Sequence, residues 1–154
     1  MTGIVVIGVG NPYRGDDAVG LEVAGRLRSR LLDDVTVLDC EQEPTRLLDA
    51  WEDADFVLVI DAAASDAPPG TVHRFDASGE GVPAQVFRSS THAFGVGDAV
   101  ELARALGRLP ERVVVYGIEG ADFTAGSELS PQVAAAVQRV VDELEEEVRC
   151  TNAR

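Results

Sequence analysis

Apolar residues fall along this chain in two rhythms, as short unbroken runs and as longer stretches spaced by three or four positions. The runs are Ile4-Val5-Val6-Ile7, Val35-Thr36-Val37-Leu38, Phe56-Val57-Leu58-Val59-Ile60 and Val113-Val114-Val115-Tyr116-Gly117-Ile118. Rich in β-branched residues and bounded by turn signals, each predicts a strand. The second ends at Asp39 and the third at Asp61. The Phe56–Ile60 run is apolar at every position, which predicts cover on both faces. Thr71-Val72-His73-Arg74-Phe75 alternates instead, and predicts a weaker strand near an edge with His73 facing solvent. Between the runs, Val19, Val23, Leu27 and Leu31 recur at helical spacing, as do Val96, Val100, Ala103 and Leu106 ahead of a stop at Gly107. Pro44 opens a helix through Leu47, Leu48 and Trp51, because a first-turn proline gives up no hydrogen bond. Ser130 as N-cap and Pro131 in the first turn start the last helix, with Val133, Val137, Val140, Val141, Leu144 and Val148 on its apolar side.

Strands alternating with helices of these lengths predict an α/β fold. We expect a single three-layer domain over residues 1–150, a mostly parallel five-stranded sheet with helices on both faces, and a frayed tail at 151–154. No repeat, low-complexity block or linker divides the chain. At 154 residues it is long enough to bury a core without disulfides. Its two cysteines, Cys40 and Cys150, supply neither a disulfide framework nor a metal knuckle.

A formal charge of -14 argues against nucleic-acid and anionic-membrane partners, which need clustered Lys and Arg. No run approaches the roughly 20 apolar residues of a bilayer span. Met1 leads directly into a strand, which predicts no secretory leader and a cytoplasmic location.

The candidate chemistry begins at Gly8-Val9-Gly10-Asn11-Pro12-Tyr13-Arg14-Gly15-Asp16-Asp17, between the first strand and the first helix. A dinucleotide fingerprint would place Gly8 and Gly10 here and a ribose-binding acid near Asp39. Its third glycine, however, falls at Tyr13. The helix end that would receive a pyrophosphate already carries Asp16 and Asp17, so the turn suits a positive ligand rather than phosphate.

Ligands of open α/β sheets bind outside the carboxyl ends of the strands. Asp17 follows strand one, Asp61 closes strand three, and His92 lies in the loop after strand four. All three share one rim provided that strand four is not reversed. Two carboxylates and an imidazole with coordination positions left open describe a working metal site, of a donor type that suits zinc or nickel. Each residue also has a plainer reading. Asp17 complements a helix dipole, Asp61 is satisfied by loop N–H groups, and His92 is a hydrogen-bonded loop histidine. There is no GxSxG elbow and no HExxH, so serine hydrolase and helical zinc-protease chemistry are unsupported.

These residues resemble the hydrogenase maturation proteases. Gly8 to Gly20 resembles the family's opening motif, Ile60-Asp61-Ala62 its second block, Ser89-Ser90-Thr91-His92 its histidine block, and Gly117-Ile118-Glu119 with Leu129-Ser130-Pro131 its closing one. The resemblance implies an endopeptidase that removes the C-terminal extension of a [NiFe]-hydrogenase large-subunit precursor once nickel is in place. It implies Asp17, Asp61 and His92 as catalytic, metal-contacting groups, with Asp16 in support, ordering the turn or orienting a ligand. The Ni2+ would arrive with the precursor, leaving the isolated site empty or holding another divalent cation. Many members carry glutamate where this chain has Asp17, which draws the metal nearer the backbone. A non-catalytic metal-sensing or chaperone domain docking on the same precursor is the rival expectation.

Overall fold

Alternation along each strand sends successive side chains to opposite faces, and here both faces are covered. The computed structural model describes residues 3–30, 34–41, 44–79, 81–83, 86 and 95–152. Strands β1 (Ile4–Val9), β2 (Val35–Cys40), β3 (Phe56–Ala63), β4 (Val72–Asp76) and β5 (Arg112–Glu119) form one sheet in the order β2-β1-β3-β5-β4. Helices α1 (Val19–Arg28) and α4 (Pro131–Asn152) lie on one face, over Ile4, Val6, Leu58, Ile60 and Val114. Helices α2 (Leu47–Ala50) and α3 (Val96–Ala105) cover the other, over Ile7, Val9, Val57, Val59, Val113 and Val115. Neighbours along one strand thus divide between two cores, as a period of two requires. Every residue of β3, the central strand, is buried.

Strands β1, β2, β3 and β5 run parallel, whereas β4 pairs antiparallel with β5 at the sheet edge. Four carboxyl ends therefore share a rim, and the condition set on strand four fails. It is the beginning of β4 that lies there, with Val72 opposite Ile118 and His73 opposite Gly117. The chain leaves β4 at the far end, where the Ala77 N–H donates to the Val113 carbonyl. It has returned to the rim by Val86, whose carbonyl accepts the Ala64 N–H at 2.8 Å just past β3.

Element boundaries differ from expectation in instructive ways. The Pro44 segment opens as a 3₁₀ turn over Pro44–Arg46 before α2. β3 runs on to Ala63, so Asp61 sits inside the strand rather than beyond it. α4 continues through Asn152, two residues into the stretch expected to fray, while 153–154 and Leu31 lie outside the described residues. The Ser130 hydroxyl donates to Asp16 instead of capping the helix that follows.

The connection from β1 leads to β2 on one side, and that from β2 crosses back to β3 on the other. This makes the carboxyl ends of β1 and β3 the switch point, where such sheets leave a crevice. A second 3₁₀ turn, Gly15–Ala18, sits at that point and passes directly into α1. Gly20 seats the first turn of α1 on the sheet: a Cβ there would lie 2.3 Å from the Ile60 carbonyl oxygen and 2.5 Å from that of Val9. Gly20→Ala must push α1 off both strand ends, at about 1–3 kcal/mol. A fall in melting temperature of about 3–10 °C is expected. Thermal unfolding followed by circular dichroism checks it, and an unchanged midpoint would show that the contact carries no constraint.

Candidate functional site

The two adjacent aspartates of the glycine turn are both buried, and they have different neighbours. Asp16 is fully enclosed. Its carboxylate accepts the N–H groups of Ala121 at 2.7 Å, Asp122 at 2.9 Å and Ser130 at 2.7 Å, and the Ser130 hydroxyl at 2.7 Å. The Asp16 N–H in turn donates to the Asp122 carbonyl at 2.8 Å. Asp16 therefore ties the glycine turn to the loop that links β5 to α4.

Asp17 belongs to the crevice instead. Its N–H donates to the Arg14 carbonyl at 3.0 Å, and its carbonyl accepts the Asn11 N–H at 3.3 Å, so the turn around it is closed. With α1 seated on Ile60 through Gly20, the Asp17 side chain comes within electrostatic reach of Asp61. The two are only 2% and 5% exposed. Burial holds the Asp61 carboxyl well above the usual carboxylate range, and the Asp17 charge pushes it further up. The Ala62 N–H, donating to Asp61 Oδ1 at 2.7 Å, opposes that shift without cancelling it. Two carboxyl groups thus share one low-dielectric crevice, where each disfavours ionisation of the other.

Among the described residues, no three His, Cys, Asp or Glu side chains gather closely enough to hold a metal ion. The structure thus brings Asp17 and Asp61 together and directs Asp16 elsewhere. His92, the expected third ligand, lies outside the described residues.

A second polar cluster at the same rim was not singled out from the sequence. Glu119, 1% exposed at the end of β5, accepts the Ser65 hydroxyl at 2.6 Å and the Ser65 N–H at 2.7 Å. His73 Nε2 lies 3.1 Å from Glu119 Oε1. The expected solvent-facing His73 is therefore corrected: it is half-buried, and its ring stacks on Phe75 with centroids 6.2 Å apart. Two signals were available. Glu119 ends an apolar strand just as an acid follows the apolar run of β3, and a charge there needs partners. His73 shares a strand face with Phe75, so an inward Phe75 brings His73 inward too.

Comparison with known proteins identifies a family. A family model described as hydrogenase maturation protease matches residues 21–147. A putative hydrogenase maturation protease of Methanocaldococcus jannaschii is 29% identical over 90% of this chain and 92% of its own length. The hydrogenase 2 maturation protease of Escherichia coli is 28% identical, over 92% of this chain and 87% of its own. Among solved structures, a hydrogenase maturating endopeptidase from E. coli superposes with a TM-score of 0.80, covering 96% of this chain and 93% of that one. At 23% identity, that last similarity speaks for the fold alone.

Two measurements test the geometry. Asp16→Ala leaves four donors without their acceptor and a cavity where the enclosed carboxylate stood, and a loss of about 1–3 kcal/mol is expected in urea denaturation. A loss below about 0.5 kcal/mol, as at ordinary surface positions, would show that the β5–α4 loop is held by something else. Asp61 should behave oppositely. Unfolded, its carboxyl titrates near the ordinary value of about 3.9; folded, it titrates higher. Between those values the native state binds more protons, so stability falls as pH rises through the window. Asp61→Asn should match the wild-type melting temperature near about pH 3.5 and exceed it at neutral pH. A variant that melts lower than wild type at neutral pH would contradict the raised carboxyl.

Proposed function

This chain belongs to the hydrogenase maturation protease family, and from that premise we propose that it is the endopeptidase that trims the C-terminal extension of a [NiFe]-hydrogenase large-subunit precursor carrying nickel. Asp17 and Asp61 would hold the precursor's nickel, with His92 as the third ligand that the family resemblance implies. The observation that carries this reading is the pair of buried acids at the β1/β3 switch point, with the Asp61 carboxyl held above the usual carboxylate range by burial and by its neighbour. A divalent cation removes that repulsion, so a loaded precursor is favoured over an empty one.

Once nickel is seated, the protein's task is positional. The carboxylates would hold the cation, and with it the precursor's main chain; the chemistry a metal would supply there is to position the scissile bond or to act as a Lewis acid on its carbonyl. Asp16 keeps the turn rigid while this happens, through its bonds to Ala121, Asp122 and Ser130. A preorganised anionic pocket performs no rearrangement at the moment of reaction, which is where such sites gain rate.

Purified protein incubated with nickel-loaded precursor should produce a mass loss equal to the C-terminal extension, and none with nickel-free precursor. Asp17→Ala, Asp61→Asn and His92→Ala should each slow cleavage by about 100-fold or more, since even outer-shell partners of a metal account for 10–100-fold. Cleavage by His92→Ala at the wild-type rate would remove that residue from the site. Binding of the loaded precursor without any mass loss would assign a docking role in place of a protease.

A further inference from the structure

The end of β3 that carries Asp61 is an overhang. β1 pairs with β3 only as far as Ile60, opposite Gly8, whereas β5 pairs with it through Ala63, opposite Glu119. Among the described strands, Asp61, Ala62 and Ala63 therefore have a sheet partner on one side only. A ligand set works only when it is held to within about 0.5 Å of its geometry. An acid on a one-sided overhang needs a restraint from the side that remains, which is β5.

Glu119 stands where that restraint is required. Gly117 lies opposite Asp61, and alternation returns to the same sheet face at Glu119, two positions further along β5. The Glu119 carboxylate is 1% exposed and touches two other segments. Its Oε2 accepts the Ser65 N–H at 2.7 Å, its Oε1 accepts the Ser65 hydroxyl at 2.6 Å, and His73 Nε2 lies 3.1 Å from Oε1. The main chain adds to this. The Glu119 N–H donates to the Thr71 carbonyl, and the Glu119 carbonyl accepts the Gly70 N–H, both at 2.8 Å. The Gly120 N–H donates to the Ala63 carbonyl at 2.9 Å. The chain leaving β3 is thus fastened at Ala63 and Ser65, and the chain returning as β4 at Gly70, Thr71 and His73. A buried carboxylate is costly to desolvate, and an apolar side chain of similar volume often serves stability as well. What the carboxylate supplies is fixed geometry, because hydrogen bonds to an ionised acceptor are short and strong.

We propose that Glu119 is a positioning residue for the cation site: through Ser65 it braces the overhanging end of β3 and so holds Asp61 facing Asp17. For its effect on trimming this rests on the protease reading above, whereas the brace itself is a property of the fold. Partners that orient a metal's ligands in this way account for about 10–100-fold in affinity or activity.

Wild type is compared with Glu119→Ala, Glu119→Gln and Ser65→Ala by amide hydrogen exchange and by steady-state cleavage of the nickel-loaded precursor, well below each melting temperature. The Ala62 N–H is the local reporter, since it donates to Asp61 Oδ1 and not to Glu119. In Glu119→Ala it should exchange about tenfold faster or more. In the same variant kcat should fall about tenfold or more with KM little changed, because the docking surface is untouched while Asp61 is out of place. Glu119→Gln keeps an acceptor for the Ser65 N–H and should recover much of both losses. Ser65 is exposed, so Ser65→Ala keeps the test readable should Glu119→Ala fail to fold. It should shift exchange and kcat in the same direction, and add nothing when combined with Glu119→Ala. Wild-type exchange at Ala62 in Ser65→Ala and in the Glu119 variants overturns the brace, whatever the precursor shows. Faster exchange with wild-type kcat, or a loss confined to KM, overturns the positioning role and leaves the protease standing. Wild type that does not trim the loaded precursor overturns the function, and the positioning role with it.

Discussion

The close seating of α1 on the carboxyl ends of β1 and β3 is the constraint from which the site follows. A helix that begins with its backbone against the Ile60 and Val9 carbonyls leaves no room for a side chain at Gly20. It also leaves the turn before it, with Asp17, no option but to face the strand that carries Asp61. Burial and repulsion then act together on Asp61. The native fold keeps this unfavourable pairing because the surrounding sheet over-determines it, with β3 buried at every position between β1 and β5.

The adjacency of Asp16 and Asp17 shows how one turn serves two ends. In a 3₁₀ turn, successive side chains diverge by roughly 120°. One acid therefore reaches the 121–130 loop while its neighbour reaches the crevice. Asp16 is fully satisfied by main-chain and hydroxyl donors, so its burial stabilises the fold instead of burdening it.

Reversal of β4 reshapes the rim in a second way. An antiparallel edge strand brings its first residues, not its last, to the carboxyl side of the sheet, and so delivers His73 to Glu119. Glu119 and Ser65 then tie the end of β5 to the segment after β3. Gly117, opposite both Asp61 and His73 in register, leaves no side chain between the two polar groups on that face. The rim is accordingly more polar, and more tightly hydrogen-bonded, than a count of strand exits suggests.

Local pattern in the sequence was enough for the strands, the helices, the layered architecture and the acids at strand ends, because periodicity and β-branching act within a few residues. It was also enough for the family, since the glycine turn and its aspartates are contiguous. What local pattern could not settle was anything dependent on direction or on distant partners. The edge strand's orientation is decided by pairing with β5, some forty residues on, and so His73 was misread. Whether Asp16 or Asp17 faces the crevice depends on the β5–α4 loop, which supplies Asp16's donors from more than a hundred residues away. The proximity of Asp17 and Asp61 likewise belongs to the tertiary structure, because it is helix-on-strand packing at Gly20, not spacing along the chain, that brings two carboxyl groups into one gap.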